Sequence, residues 1–142
     1  MQKDLKAIIS VKVNAPATKV WEALTTPDLI KQYFFGTNTE SEWRVGCPIY
    51  FRGVWDGKEY EDKGTILEVK PGKVLRYNYW SSFSGTEDKP ENYANITYEL
   101  ITKRDTTELW VTQDSIDNEE RKTHSEQNWR LVLHNLKQLL EN

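Results

Sequence analysis

The 142-residue sequence has few of the groups on which catalysis and metal binding usually depend. Its one cysteine, Cys47, cannot form a disulfide within the chain. Its two histidines, His124 and His134, are too far apart for the close spacing of a metal-binding pair on a helix. There is no glycine-rich phosphate loop and no apolar run long enough to cross a bilayer. We therefore expect no metal, no cofactor and no membrane span.

Positive and negative charges are nearly balanced in the sequence. The formal net charge is −3, whereas a nucleic-acid-binding surface needs clustered Lys and Arg on one face. The first residues lack the apolar core of a signal peptide. We therefore predict a cytoplasmic protein that does not bind nucleic acid.

Aromatic residues, by contrast, are abundant: six Trp, seven Tyr and four Phe. Each such side chain can bury about 150–250 Å² of surface, so together they carry an unusual share of the hydrophobic effect. Two interpretations are open. The rings fill a solid core, or they line an apolar pocket in which a few hydroxyl groups orient a ligand.

The pattern of apolar residues predicts a strand, two helices, six strands and a long helix. Pro16 and Pro27 each suit the first turn of a helix, and Asp56-Gly57 is a strong hairpin signal. The predicted strands are 5–13, 39–45, 49–55, 63–69, 74–80, 93–102 and 108–113, and the predicted helices are 17–25, 27–33 and 118–140.

Alternation along these strands places large side chains on one face of the sheet. Leu75, Tyr77 and Tyr79 alternate with polar residues in the most aromatic strand. The final helix is apolar on one stripe from Trp129 onward, but its first half is almost wholly polar. Strands joined by tight turns imply an antiparallel sheet. A sheet that curls around one helix leaves a space between them, and the aromatic residues are placed to line it.

Several segments resemble the START-like (SRPBCC) superfamily. The opening Ala15-Pro16, Val20-Trp21 and LTTP (24–27) is similar to the start of that superfamily. The segments GTILEV (64–69), LRYNYW (75–80), ITYEL (96–100), TEL (107–109) and 129–140 are similar to the family named for the activator of heat-shock protein 90 ATPase homologue.

This resemblance covers nearly the whole chain and implies one START-like domain over residues 1–142. The implied fold is α+β, of the helix-grip type: a curved seven-stranded antiparallel sheet wrapped around a long C-terminal helix, in the order βααββββββα. A deep cavity between sheet and helix is also implied. The resemblance does not imply one activity, since relatives bind lipids, hormones or polyketides, cyclise or dehydrate aromatic precursors, or stimulate a chaperone ATPase.

The candidate ligand-binding residues are those expected to face the interior. Polar Gln113, Ser125 and Asn128 are the groups expected to reach it, although Ser125 also fits a wet rim. The aromatic candidates are Tyr33, Phe34, Phe51, Trp55, Tyr77, Tyr79, Tyr98 and Trp129.

Other polar groups fit a structural or solvated role better. Cys47 lacks a neighbouring base that would activate it, so we expect a small, partly buried side chain. Both histidines are expected in solvent. The long polar loop around Phe83 fits either a lid or a surface loop. A set of carboxylates in turn-rich stretches is expected on the solvated surface: Glu40, Glu42, Glu59, Glu61 and Asp62.

Three functional hypotheses follow. The first is a domain that binds a small hydrophobic or aromatic, lipid-like molecule in an internal cavity. The second is an enzyme of the cyclase or dehydratase type that uses the same cavity, which would need a buried ionisable group. The third is a regulator of a chaperone ATPase, by family analogy alone, with Trp110 as the residue to examine. We favour binding over catalysis.

Overall fold

The computed structural model describes residues 5–81 and 85–141, apart from the side chain of Trp55. The elements follow the predicted order, and a 3₁₀ turn at Pro90–Asn92 precedes β6. They are β1 (Leu5–Val13), α1 (Ala17–Thr25), α2 (Pro27–Tyr33), β2 (Asn38–Ser41), β3 (Pro48–Trp55), β4 (Lys58–Lys70), β5 (Val74–Tyr79), β6 (Ala94–Lys103), β7 (Thr106–Ile116) and α3 (Glu119–Glu141).

The strands form one antiparallel sheet in the order β1-β7-β6-β5-β4-β3-β2. Successive strands from β2 to β7 are neighbours, and β1 closes the far edge beside β7. The sheet is curved and the long α3 packs against it, which is the α+β helix-grip arrangement. The fold predicted from the sequence is therefore confirmed.

The hairpin between β3 and β4 fixes the register of both strands. Asp56 and Gly57 have φ angles of 52° and 76°, and Trp55 pairs with Lys58 across the turn. Positive φ at both central residues is the type I′ geometry that suits a right-twisted hairpin. β4 therefore begins at Lys58, before the predicted start at residue 63.

This longer strand corrects one prediction. Asp62 alternates with exposed Glu61 and faces the interior, where its side chain is only 7% exposed. The expectation that Asp62 lies on the solvated surface is therefore wrong. Its strand partner is Phe51, which is also buried.

β2 is shorter than predicted, because the chain turns after Ser41. The Ser41 hydroxyl oxygen accepts the backbone N–H of Trp43 at 3.1 Å, and Trp43 has a φ of 56°. A residue in the left-handed region interrupts the ladder, so the strand ends before residue 45.

β4 and β5 approach each other unusually closely at Gly64. A Cβ atom on Gly64 would lie 1.7 Å from the backbone oxygen of Asn78. The Asn78 side chain also accepts the N–H of Thr65 at 2.7 Å, and the register shifts between Ile66 and Glu68. A residue without a side chain is therefore required where the two strands bend together.

The core lies between the concave face of the sheet and the three helices. α1 and α2 are joined by the Tyr33 hydroxyl, which donates to the Ala23 carbonyl at 2.8 Å. On α3, Trp129, Val132 and Leu136 are buried, as the apolar stripe predicts. Residues 119–128 of α3 are exposed or half-buried, so this half of the helix does not pack into the core.

Candidate functional site

Most of the predicted aromatic lining packs into one continuous cluster. Phe51 lies between Tyr77 and Tyr79, each with its ring centroid 5.6 Å away. Tyr98 lies 6.1 Å from Tyr77 and 5.9 Å from Trp129. Edge-to-face and tilted pairs at these distances are favourable aromatic contacts. These rings contact one another directly, so they form packed core.

Two further candidates join the same cluster at the helix side. Phe34 lies 6.0 Å from Trp129 and stacks on Phe51 at 6.2 Å, and Tyr33 lies 6.5 Å from Phe34. The predicted contribution of Trp55 concerns a side chain outside the described part of the structure.

The buried tyrosine hydroxyl groups find partners within the protein. Tyr77 and Tyr98 share a hydrogen bond of 3.3 Å between their hydroxyl oxygens. Burial raises the pKa of Tyr98 to about 12, and it raises the pKa values of Tyr33 and Tyr77 well above the ordinary range. All three therefore stay neutral hydrogen-bonding groups over the physiological range.

An open cleft of about 900 Å³ lies beyond the aromatic cluster. One wall comes from the ends of β5, β6 and β7, and the other from the polar first half of α3. The strand wall includes Tyr79, Ala94, Gln113 and Ile116, and the helix wall includes Glu120, Arg121, Thr123, His124 and Ser125. The first half of α3 is polar because it borders an open cleft, whereas the second half packs on the sheet.

Gln113 connects the packed cluster to this cleft. Its side-chain oxygen accepts the indole N–H of Trp129 at 2.8 Å. An indole nitrogen can only donate, so the amide oxygen must face Trp129. Gln113 also lines the cleft. Its amide nitrogen, which has two donor hydrogens, has no protein partner among the described residues.

Tyr79 is the second group that belongs to both the cluster and the cleft. Its hydroxyl donates to the carboxylate of the buried Asp62 at 2.5 Å. Burial and the Asp62 charge hold the pKa of Tyr79 well above its ordinary value. Ser81 is another cleft-lining residue. Tyr79 therefore connects the wall of the cleft to an interior carboxylate through one hydrogen bond.

The helix candidates divide between the cleft and the solvent. Ser125 is half-buried and lines the cleft. Asn128 does not reach the interior, because its position turns it outward, where its amide lies 3.3 Å from the His124 ring. His124 and His134 are exposed, as predicted, although His124 also borders the cleft.

The remaining polar candidates lie elsewhere on the surface. Glu40 and Glu61 are exposed and both accept hydrogen bonds from Arg52. Cys47 is half-buried, as expected, and its thiol lies 3.6 Å from Glu42. Over residues 5–81 and 85–141, no group of three or more His, Cys, Asp and Glu is placed to hold a metal ion. No helix in that part of the chain is long and apolar enough to cross a membrane.

The sequence analysis missed two contributors to the site. Asp62 was assigned to the surface because its neighbours are polar, and Ser81 lay at the start of a polar loop. Phe83, proposed for that loop, lies outside the described residues. Trp110 is half-buried, and its indole donates to Glu108 at 2.8 Å.

Comparison with known proteins identifies the family. A family model described as "Activator of Hsp90 ATPase homolog 1-like protein" matches residues 14–141. The chain belongs to this family. It is part of the START-like (SRPBCC) superfamily, which includes ligand-binding and polyketide cyclase-like proteins.

Several solved structures are similar to this chain and share its fold. ChR145 from Cytophaga hutchinsonii is 44% identical, with a TM-score of 0.87 over 100% of this chain and 97% of that chain. The Aha1 dimer from Colwellia psychrerythraea is 19% identical, with a TM-score of 0.76 and 96% of each chain covered. DynU16, from the dynemicin biosynthetic locus, is 20% identical, with a TM-score of 0.81 over 96% of this chain and 47% of that chain. A search of the curated proteins finds no match to the sequence.

Proposed function

We propose that this protein binds a small amphipathic molecule in the open cleft between the strand ends and the first half of α3. The observation that carries the proposal is the position of the cleft. It begins where the aromatic cluster ends, at Tyr79 and Gln113, and it is covered by helix residues of which none is buried in the core. Ligand sites generally combine such an apolar floor with a few fixed polar groups.

The size of the cleft suits a small molecule. At about 900 Å³ it falls in the usual range for ligand pockets, roughly 300–1,000 Å³. Ile116 and Ala94 supply apolar surface, and Trp80 borders the same space. Burying apolar ligand surface there stabilises the complex by roughly 25 cal/mol per Å² before the entropic costs of association.

This proposal changes where the ligand is placed. The sequence analysis put it among eleven candidate residues of an internal cavity. Of these, Tyr79, Gln113 and Ser125 line the cleft, whereas the rings of Tyr77, Tyr98 and Trp129 contact one another. The ligand that we propose touches the outer end of the cluster and the polar wall beyond it. The cytoplasmic location and the single domain over residues 1–142 stay predictions.

Native mass spectrometry with the full chain and a set of lipids and polyphenols tests this proposal. Ser125→Trp places a large side chain in the cleft and should abolish complexes that the unmodified protein forms. Arg130→Trp lies on the same helix at an exposed position away from the cleft and serves as the matched control. Equal binding by both variants, or no complex with any compound, would count against a ligand in the cleft.

A second function, proton-transfer catalysis in the cleft, is favoured by one observation. The sequence-based hypothesis required a buried ionisable group, and Asp62 is such a group at the inner end of the Tyr79 hydrogen bond. Incubating the protein with each bound compound and following product mass tests it. Turnover that Asp62→Asn abolishes would support an enzyme. Compounds that bind but stay unchanged would count against catalysis and would leave ligand binding as the function.

The family description also names activation of a chaperone ATPase. Trp110, the residue proposed for such contacts, is anchored to Glu108 of its own strand. No contact in the described structure favours this role over ligand binding.

A further inference from the structure

A smaller pocket of about 410 Å³ lies on the outer face of the sheet, opposite the aromatic cluster. Tyr50, Lys63 and Asn78 line it, and each has a strand neighbour that is buried on the core side. Asp88 and Tyr93, from the segment before β6, complete its wall. The pocket shares no lining residue with the cleft, so the two sites are separate.

The floor of this pocket presents hydrogen-bond donors. The backbone N–H of Thr65 can only donate, so the Asn78 amide turns its oxygen toward it, at 2.7 Å. The amide nitrogen, with both hydrogens, has no protein partner among the described residues. The Lys63 ammonium donates one N–H to Asp88 at 2.5 Å, which leaves its other N–H groups. The floor therefore calls for hydrogen-bond acceptors on a ligand.

Asp88 makes this floor neutral and orients its neighbours. Its carboxylate accepts hydrogen bonds from Lys63 and from the phenol hydroxyl of Tyr93. These two bonds hold the pKa of Asp88 below its ordinary value, so the carboxylate is ionised at neutral pH. Lys63 and Asp88 together carry no net charge. The acceptors that fit best are therefore uncharged ones, such as carbonyl oxygens.

The rim of the pocket is apolar and rigid. Tyr50 and Tyr93 are half-buried, and Pro48 and Pro90 lie beside them. The guanidinium of Arg52 lies 4.6 Å from the centre of the Tyr50 ring, and the Tyr93 ring is held by its hydroxyl bond. Two fixed rings on either side of a donor-rich floor thus provide flat apolar surface for a ligand.

The strand register sets the length of the site. Tyr50 pairs with Lys63 of β4, which in turn bridges to Trp80 after β5. Tyr93 comes just before β6, the next strand of the sheet. Three strand spacings therefore separate the Cα atoms of Tyr50 and Tyr93 by roughly 14 Å. A polyproline II helix rises about 3.1 Å per residue, so about four to five residues of it span this distance.

We propose that this outer pocket binds a proline-rich segment of a partner protein in the polyproline II conformation. Proline has a carbonyl acceptor but no N–H, so a proline run offers the acceptors that Asn78 and Lys63 require and brings no donor that needs a partner. Aromatic-lined grooves are the usual docking surfaces of such segments. Because the outer pocket is separate from the cleft, this inference does not depend on the proposed function.

Nuclear magnetic resonance titration of the isotope-labelled full chain tests this inference. The probe is acetyl-hexaproline-amide, and the control is acetyl-hexaserine-amide, which has as many residues but keeps its N–H groups. We expect saturable shifts of the Asn78 side-chain amide and the Thr65 backbone N–H with hexaproline. Hexaserine should bind roughly tenfold more weakly or not at all. The Gln113 side-chain amide, in the cleft, should stay unchanged.

Three variants test the contacts. Asn78→Asp keeps an oxygen for Thr65 but removes the donors, and it should weaken hexaproline binding roughly tenfold. Tyr50→Ala removes one ring and should weaken it by about tenfold as well. Should Asn78→Asp fail to fold by circular dichroism, Lys63→Met tests the donor floor in its place, with the same expected loss. Asn128→Asp, exposed on α3, is the matched control and should bind normally.

The outcomes separate this inference from the proposed function. Shifts centred on Gln113 and Ser125 would place the peptide in the cleft and overturn the outer site. Equal affinity for hexaserine would overturn the assignment to proline-rich segments. The absence of saturable shifts, or unchanged binding by folded Asn78→Asp and Tyr50→Ala, would also overturn it. None of these last results bears on small-molecule binding in the cleft.

Discussion

The indole N–H of Trp129 on α3 donates to the side-chain oxygen of Gln113 on β7 at 2.8 Å. This bond lies at the boundary between the packed aromatic cluster and the open cleft. It joins the helix to the sheet, and it also orients the Gln113 amide toward the cleft. One contact therefore serves both the stability of the fold and the chemistry of the site.

Replacing Trp129 tests the structural half of that contact. Trp129→Phe removes the hydrogen bond and part of a side chain that is only 8% exposed. We expect the free energy of unfolding to fall by about 1–3 kcal/mol, through lost packing and an unpaired Gln113 oxygen. Urea unfolding followed by circular dichroism measures this. Leu131→Ala, at an exposed position on the same helix, should change stability little.

The buried carboxylate makes Tyr79 more important for stability than its neighbour Tyr77. Tyr79→Phe leaves the Asp62 carboxylate without the 2.5 Å bond from Tyr79, which should cost about 1–3 kcal/mol. Tyr77→Phe removes a longer bond of 3.3 Å between two neutral hydroxyls and should cost about 0.5–1.5 kcal/mol. Urea unfolding measures both losses. If the free energy of unfolding falls equally in the two variants, the Tyr79–Asp62 hydrogen bond contributes no more to stability than the Tyr77–Tyr98 bond.

The fold followed from the sequence because alternation and turn signals agree along most of the chain. Leu75, Tyr77, Ile96, Tyr98 and Leu109 all face inward, as their spacing predicts. Element ends were less predictable. Trp43 ends β2 through a left-handed turn that its residue type does not favour, so the strand was drawn too long.

The position of Asp62 was available from the sequence but was not found. A two-residue turn at Asp56-Gly57 pairs residue 51 with residue 62, and Phe51 was already predicted to face inward. The pattern of polar neighbours outweighed this register argument. The sequence could not show which inward-facing residues pack into the core and which line the cleft. Alternation gives the face of the sheet on which a side chain lies, but not how closely facing rings pack.

The close approach at Gly64 predicts a large effect of one methyl group. In Gly64→Ala the new Cβ would lie 1.7 Å from a backbone oxygen, which cannot move without disrupting β5. Overpacking usually costs about 1–3 kcal/mol, and we expect this variant at or above the top of that range. In the control, Gly53→Ala, the nearest atom belongs to the Tyr60 side chain at 2.6 Å, which can move. Thermal unfolding should rank Gly64→Ala clearly below Gly53→Ala.

The buried tyrosines predict a loss of stability in alkali. The unfolded chain releases the Tyr98 proton near pH 10, whereas the folded chain keeps it until its pKa of about 12. The stabilisation is therefore fully present below pH 10 and is lost between about pH 10 and 12. Tyr98 alone should contribute a slope of about 1.4 kcal/mol per pH unit in that window. Urea unfolding at several pH values measures the slope, and Tyr98→Phe should make it shallower by that amount.

The most direct measurement of the central claim is a titration of the isotope-labelled protein with para-hydroxybenzophenone, followed by nuclear magnetic resonance. Binding in the cleft predicts saturable shifts of the Gln113 side-chain amide and of the Ser125 backbone, with the Trp110 indole unchanged as the internal control. Shifts centred on Trp110, or none at Gln113 while the compound is bound, would contradict a ligand site between the strand ends and the polar half of α3.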